Sequence, residues 1–173
     1  MRTTLFLTSL FCLLTGCSKL TVDNSVVKDF DTDRFLGGWY EIARFDHRFE
    51  RGMEQTQATY TLQKDGTIKV LNVGMKNGKP KQSEGLAKLT DTPALLRVSF
   101  FGPFYSDYRV MLLDKDYQYA LIGGGSDNYL WILSRTSLLS DDVKKKILNE
   151  AKRRGYDINK LIWVKHEINN IDE

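Results

Sequence analysis

Gly38-Trp39-Tyr40-Glu41-Ile42 opens a series of short strand-like segments, and Ser134-Arg135-Thr136 closes it. A glycine-tryptophan pair near the start and an arginine at the end are what a small closed β-barrel needs at its plugged end. The indole fills the bottom of the barrel, and the guanidinium lies across its face as a cation–π cap. Taken singly, Trp39 reads as an ordinary core aromatic and Arg135 as a surface charge. The run of short strands between them favours the paired reading, so Gly38, Trp39 and Arg135 are the candidate barrel-closure residues.

Working outward, strands are expected at about 39–44, 57–63, 67–73, 82–89, 95–100, 108–113, 118–122 and 129–134. Lys64-Asp65-Gly66 and Asn77-Gly78 are hairpin signals. Asp91-Thr92-Pro93 breaks the fourth strand, and the glycine-rich run from Gly123 to Asn128 links the last two. Short strands separated by turn signals indicate a sandwich or a barrel. After Arg135 the period changes. Ser140 is an N-cap, Asp141 and Asp142 complement a helix N-terminus, and Val143, Ile147, Leu148 and Ala151 form one apolar stripe that ends at Gly155. A last short strand at 161–164 precedes a polar tail, 166–173. Ahead of the barrel, Asp31-Thr32-Asp33 introduces one helical turn through Phe35-Leu36.

The N-terminus has its own logic. Met1-Arg2 is a minimal positive region, and Leu5 to Leu14 is apolar but too short to span a bilayer as a permanent helix. Leu14-Thr15-Gly16-Cys17 resembles the lipobox of bacterial lipoproteins, which makes residues 1–16 a signal peptide and Cys17 the lipidation site. The alternative is an ordinary secretory signal with an incidental cysteine. Several acyl chains on one cysteine make a durable anchor, since each buried methylene contributes ~0.8 kcal/mol. Ser18 after the cysteine implies, by the same resemblance, sorting to the outer membrane. Residues 17–30 then read as a lipidated cysteine and polar tether, solvated by Asp23, Asn24, Ser25 and Lys28. Cys12 leaves with the signal, so the mature chain cannot form an internal disulfide.

The 173 residues make one domain, residues 31–165. The formal charge of +3 comes from 25 basic and 22 acidic side chains scattered among each other. Without a basic stripe and interleaved aromatics, nucleic acid is not an expected partner.

Three longer strings carry a family resemblance: the run from Arg44 to Gly52, Val98-Ser99-Phe100-Phe101-Gly102-Pro103-Phe104-Tyr105, and Tyr129-Leu130-Trp131-Ile132-Leu133-Ser134-Arg135-Thr136. With the Trp39–Arg135 pairing, they resemble the lipocalin family, and within it the bacterial outer-membrane lipocalins of the Blc type. The resemblance implies an all-β fold: an eight-stranded antiparallel up-and-down β-barrel with one C-terminal amphipathic helix and a short final strand. Such barrels hold one small apolar ligand. Leu113-Asp114-Lys115-Asp116-Tyr117 departs from the threonine-aspartate-tyrosine of the family's second motif.

Up-and-down connectivity gathers Phe45, Phe49, Met53, the 100–105 aromatic loop and the glycines at 123–125 around one mouth. Strand alternation places Glu41 and Ala43 on the side of Trp39, with Tyr40 and Ile42 toward the helix. The same parity sends Leu96, Val98 and Phe100 inward with Tyr108, Val110, Leu112, Tyr129, Trp131 and Leu133, and sends Arg97 and Ser99 to solvent. With Tyr105 at the mouth, these supply the candidate ligand-binding residues: Trp131, Tyr129, Leu133, Val98, Phe100, Tyr105, Tyr108, Val110 and Leu96. A filled interior remains the alternative to a pocket of roughly 300–1,000 Å³. Arg48, Arg51, Lys76 and Lys79 are mouth cations within reach of a headgroup. His47 and His166 read as surface groups without metal-ligand spacing, so neither a metal nor another cofactor is expected.

No serine-histidine-acid order, phosphate loop or catalytic carboxylate pair stands out, and the protein is not expected to be an enzyme. The reading is an outer-membrane-anchored, periplasm-facing carrier of fatty acids or lysophospholipids, serving storage, transport or salvage of lipids. Membrane contact is through the lipid anchor, and the resemblance leaves room for a homodimer. The rival is a structural lipoprotein that uses its barrel as a platform without a lipid ligand.

Overall fold

Asp31 caps a single helical turn, α1 (Thr32–Phe35), by accepting the Arg34 amide on its side chain. The chain then winds through β1 (Gly37–Arg44), β2 (Met53–Leu62), β3 (Ile68–Lys76), β4 (Lys79–Leu89), β5 (Leu95–Phe101), β6 (Phe104–Leu113), β7 (Tyr119–Gly123) and β8 (Leu130–Ser134). The computed structural model describes residues 22–167. The expected signal peptide, Cys17 and the tail beyond residue 167 lie outside the described residues.

Each strand pairs antiparallel with the next, and β8 returns to β1 with Tyr40 opposite Ser134 and Arg44 opposite Trp131. Closure removes the open edges that would otherwise recruit another chain. Helix α2 (Asp141–Arg153) lies outside, N-capped by Ser140 and followed by Gly155 at φ +92°. Strand β9 (Ile162–Trp163) pairs with the mouth half of β1, Trp163 opposite Ala43. At the mouth several strands run further than expected. Asn77 and Gly78 both adopt positive φ, as a type I′ turn requires, and the ladder continues to the pair Lys76–Lys79.

Two apolar layers result. Inside the closed end, Phe35, Trp39, Tyr60, Ile68, Val70, Leu96, Val110, Ile122 and Leu133 pack together. Between barrel and helix, Ile42, Met111, Leu121, Leu130 and Ile132 meet Ile147 and Ala151.

Bulges overturn two expectations of parity. An extra residue in β1 between Glu41 and Ala43 puts Ala43 in the helix-side layer beside Ile42, not inside with Trp39. A second, between Val110 and Leu112 in β6, turns Leu112 toward the helix and Leu113 toward the interior. In β5 the register shifts between Val98 and Phe101, yet Val98 and Phe100 both face the interior as expected; Ser99 keeps the outer face, opposite Leu86, but is buried there where solvent was expected.

The expected tether is also partly structured. Val22 is buried in the helix-side layer, while Val26, Val27 and Phe30 pack against the interior cluster. The Asp23 amide donates to the Arg154 carbonyl at 2.8 Å and the Val27 amide to that of Val110 at 2.9 Å. The Arg154 guanidinium donates to the Ser25 and Met111 carbonyls at 2.8 and 2.7 Å. These apolar side chains, spaced among the polar ones that suggested a solvated linker, hold residues 22–30 to the barrel.

Candidate functional site

The plugged end is built around Trp39. Its indole Nε1 donates to the Phe35 carbonyl at 2.8 Å, and the Phe35 ring lies 5.0 Å away. The Arg135 guanidinium carbon sits 3.8 Å from the centre of the Trp39 ring. Its nitrogens donate to the carbonyls of Gly38 (2.7 Å), Arg34 (2.8 Å), Leu36 (2.9 Å), Tyr117 (3.2 Å) and Phe35 (3.3 Å). The conformational demand for glycine falls on Gly37, at φ +89°, where Arg135 Nη1 lies 3.5 Å from the place of a Cβ. Gly38 contributes its carbonyl, and a Cβ there would meet nothing within 4 Å.

Above this plug the barrel is hollow. A chamber of about 420 Å³ is walled by Trp131, Leu133, Val98, Phe100, Tyr108 and Tyr60, with Tyr129 and Gly124 toward the mouth. A second chamber of about 340 Å³ extends toward β2, β3 and β4, where Lys76 and Lys81 reach its wall. Glu41, Phe49, Glu50, Ala58, Asn72 and Phe100 border both chambers. An interior filled by side chains is thereby ruled out.

Of the candidate ligand-binding residues, Trp131, Tyr129, Leu133, Val98, Phe100 and Tyr108 stand on the wall. Leu96 and Val110 do not; they are fully buried below it, in the cluster around Trp39. Tyr105 also lies off the wall, because it points outward and carries the Lys88 ammonium 4.7 Å over its ring. Sequence reading placed Phe49 at the mouth but missed Glu50, Ala58, Tyr60, Val70 and Asn72. Alternation along β2 and β3 would have found the last four.

A buried charge cluster forms the polar edge of the cavity. Arg44, 1% exposed, pairs with Glu41 at 2.5 Å and donates to the carbonyls of Glu50 at 2.8 Å and Met53 at 3.0 Å. Trp131 Nε1 donates to Glu50 Oε2 at 3.1 Å. Burial first, and the charge of Glu41 second, push the Glu50 carboxyl up to about 8. Burial also raises Glu41, against the opposing pull of Arg44. Inside the cavity the Tyr60 and Tyr108 hydroxyls bond each other at 2.8 Å.

Neither histidine is the surface group that the sequence implied. His47 is buried, its ring 5.0 Å from Tyr129, 5.4 Å from Phe49 and 4.6 Å from Trp131. Burial, then the nearby Arg44 charge, press its titration down to about 4, so the ring is neutral at pH 7. His166 is half-buried against Tyr40, with a ring nitrogen 2.8 Å from the Glu41 carbonyl, and holds the C-terminal segment to β1. Among the described residues no cluster of three or more histidine, cysteine or acidic side chains could hold a metal, and no helix is long and apolar enough to cross a membrane.

Known proteins share both sequence and barrel. A sequence profile described as lipocalin-like domain matches residues 30–166. The chain is 52% identical over 158 residues to the outer membrane lipoprotein Blc of Escherichia coli K12, covering 88% of this chain and 89% of that protein. The Vibrio cholerae protein of the same name is 42% identical over 168 residues, with 94% and 98% covered. Temperature-induced lipocalin-1 of Arabidopsis thaliana is 45% identical over 147 residues and 79% of each chain. The solved structure of insecticyanin from the tobacco hornworm Manduca sexta superposes with a TM-score of 0.68 at 24% identity, over 84% of this chain and 85% of that one, a likeness of fold alone. Fold, plug and sequence agree: the chain belongs to the lipocalin family.

Proposed function

We propose that this lipocalin is an outer-membrane-anchored lipoprotein, held through an acylated Cys17 and facing the periplasm, that binds fatty acids or lysophospholipids for storage, transport or salvage. The observation that carries the reading is the two-chambered cavity, with an apolar wall of Trp131, Leu133, Val98 and Phe100 and a polar edge at Glu41 and Glu50. An acyl chain fits the apolar chamber, and a headgroup fits the side of the second chamber where Lys76 and Lys81 stand. The relatives named outer membrane lipoprotein Blc support the anchor and its membrane.

Each methylene removed from water contributes about 0.8 kcal/mol, roughly a fourfold gain in affinity. Stripped of co-purified lipid and titrated by tryptophan fluorescence, the protein should bind a series of acyl chains with that slope until the chamber is full, then level off. Trp131→Ala should weaken every member of the series while the barrel stays folded. If no chain length binds at micromolar concentration, the carrier reading fails and the barrel is a platform.

A further inference from the structure

We infer that the barrel docks mouth-first on the bilayer that holds its anchor, with Phe49, Phe101 and Phe104 entering the headgroup layer of an anionic phospholipid surface. The inference rests on the reading of Cys17 as acylated. The first described residues carry it. Val22 is buried in the helix-side layer, and β1 and β8 meet at the mouth through the Phe45 amide and the Leu130 carbonyl at 2.9 Å. Asn24 Nδ2 donates to the carbonyl of Gly124 in the β7–β8 loop at 3.4 Å, also at the mouth. By Asp31, whose amide donates to the Tyr117 hydroxyl at 2.7 Å, the segment has reached the closed end. The chain therefore enters beside the mouth and runs down the barrel. From Cys17 to Val22 a fully extended backbone reaches at most about 18 Å. A ten-residue strand such as β2, tilted as barrel strands are, spans about 25 Å of axis. So short a leash keeps the mouth, not the closed end, next to the bilayer.

The rim is built for such a surface. Phe49 is 57% exposed, Phe101 76% and Phe104 79%, on the β1–β2 loop and the β5–β6 hairpin. Aromatic rings cluster at the interface of membrane-bound proteins because the headgroup layer accepts an amphipathic, partly apolar surface. Beside them Arg48, Lys76, Lys79 and Lys81 have no carboxylate partner among the described residues, and anionic lipid attracts such cations. The acids at this end are largely neutralised. Asp46 pairs with Arg51 at 2.8 Å, Asp107 pairs with Arg97 and Arg109 at 2.7 and 2.8 Å, Glu50 is buried, and Glu54 stands exposed. At the closed end Leu62, Leu89 and Leu138 are exposed, but among the described residues no aromatic side chain there is.

The test attaches an environment-sensitive dye to Phe101→Cys and, separately, to Asp65→Cys at the closed end. Both are made in the acylated protein inserted in phosphatidylethanolamine–phosphatidylglycerol vesicles, with acyl mass on Cys17 measured on the same sample. The dye at position 101 should be shielded severalfold from aqueous iodide relative to position 65, and quenched by brominated acyl chains. Equal exposure of the two sites, or the reverse order, overturns the proposal. So does shielding that disappears when protein per vesicle is lowered, because a second copy would then be covering the rim. Absence of acyl mass instead refutes the anchor reading. An arm without the anchor stays informative: in Cys17→Ser protein, the added pair Phe101→Ser and Phe104→Ser should lower partition onto the same vesicles at least tenfold, and unchanged partition overturns docking.

Discussion

Removing the guanidinium of Arg135 should open the plugged end, and the geometry sets the size of the effect. The contact with the Trp39 ring at 3.8 Å contributes about 0.5–2 kcal/mol. Part-buried bonds to the Phe35, Leu36 and Tyr117 carbonyls add about 0.5–1.5 kcal/mol each, whereas water can replace the arginine at the exposed Gly38 and Arg34 carbonyls. Arg135→Ala should therefore cost about 2–6.5 kcal/mol, a fall in Tm on the order of 10 °C for a domain of this size. Arg135→Lys keeps the charge but loses the planar fork that reaches several carbonyls, and should recover at most the cation–π part. Trp39→Ala should cost about 3–5 kcal/mol by leaving a cavity. The double variant should lose less than the sum of the singles by about 0.5–2 kcal/mol, since each single already removes the shared contact. Denaturant melts with a linear-extrapolation fit decide it. A lysine variant as stable as the parent refutes the fork, and strict additivity refutes the stacked pair.

Glu50 loses its proton near 4.5 when unfolded but only at about 8 in the fold. Between those values the folded chain holds the extra proton, and stability falls as pH rises, by at most about 1.4 kcal/mol per unit. His47, pressed from 6.5 to about 4, works the other way over that lower range, so the net decline should appear between pH 6.5 and 8. Glu50→Gln should flatten it, and a decline that persists in that variant would show another group to be responsible. Gly85→Ala should cost about 1–3 kcal/mol and shift ligand affinity, since a Cβ there would stand 2.8 Å from the Phe100 ring and 2.9 Å from the Ser99 carbonyl; thermal melts and the acyl-chain titration read both. Cys17→Ser should leave the membrane fraction or accumulate as precursor, and intact mass with fractionation checks it: a wild type without lipid mass would end the lipoprotein reading.

The barrel was legible because its signals are local. Asn77-Gly78, Lys64-Asp65-Gly66 and the Ser140 cap each act within a few residues, and Trp39 with Arg135 named the plug across the length of the chain. The errors begin where locality ends. Ala43 and Leu112 were misplaced by bulges, which shift every later side chain by one face and leave no mark in an alternating pattern. Residues 22–30 looked like a linker because four polar side chains hide the spacing of Val22, Val26, Val27 and Phe30. His47 and Glu50 lie in a stretch rich in charge, Arg44 to Arg51, which reads as a solvated loop. Only its folding back over the mouth, through the Arg44 bonds to the Glu50 and Met53 carbonyls, buries them.

That same folding explains why an apolar cavity contains acids at all. Arg44 is buried at the mouth end of β1, and a buried guanidinium is tolerated only when paired and hydrogen-bonded. Glu41 supplies the charge and the β1–β2 loop supplies the carbonyls, so the loop carrying Phe49 is clasped over the opening. Glu50 comes with the loop and is held by Trp131, but burial and the charge of Glu41 keep it protonated at neutral pH. The edge shared by both chambers thus carries one negative charge already balanced by Arg44. A ligand carboxylate or phosphate placed there would face Glu41 at close range in a poorly solvated site, where like charges repel strongly. An acyl chain or a neutral ester suffers no such penalty. The anionic end of an amphiphile is therefore directed away from this edge, toward Lys76 and Lys81, while its chain occupies the chamber beside Trp131.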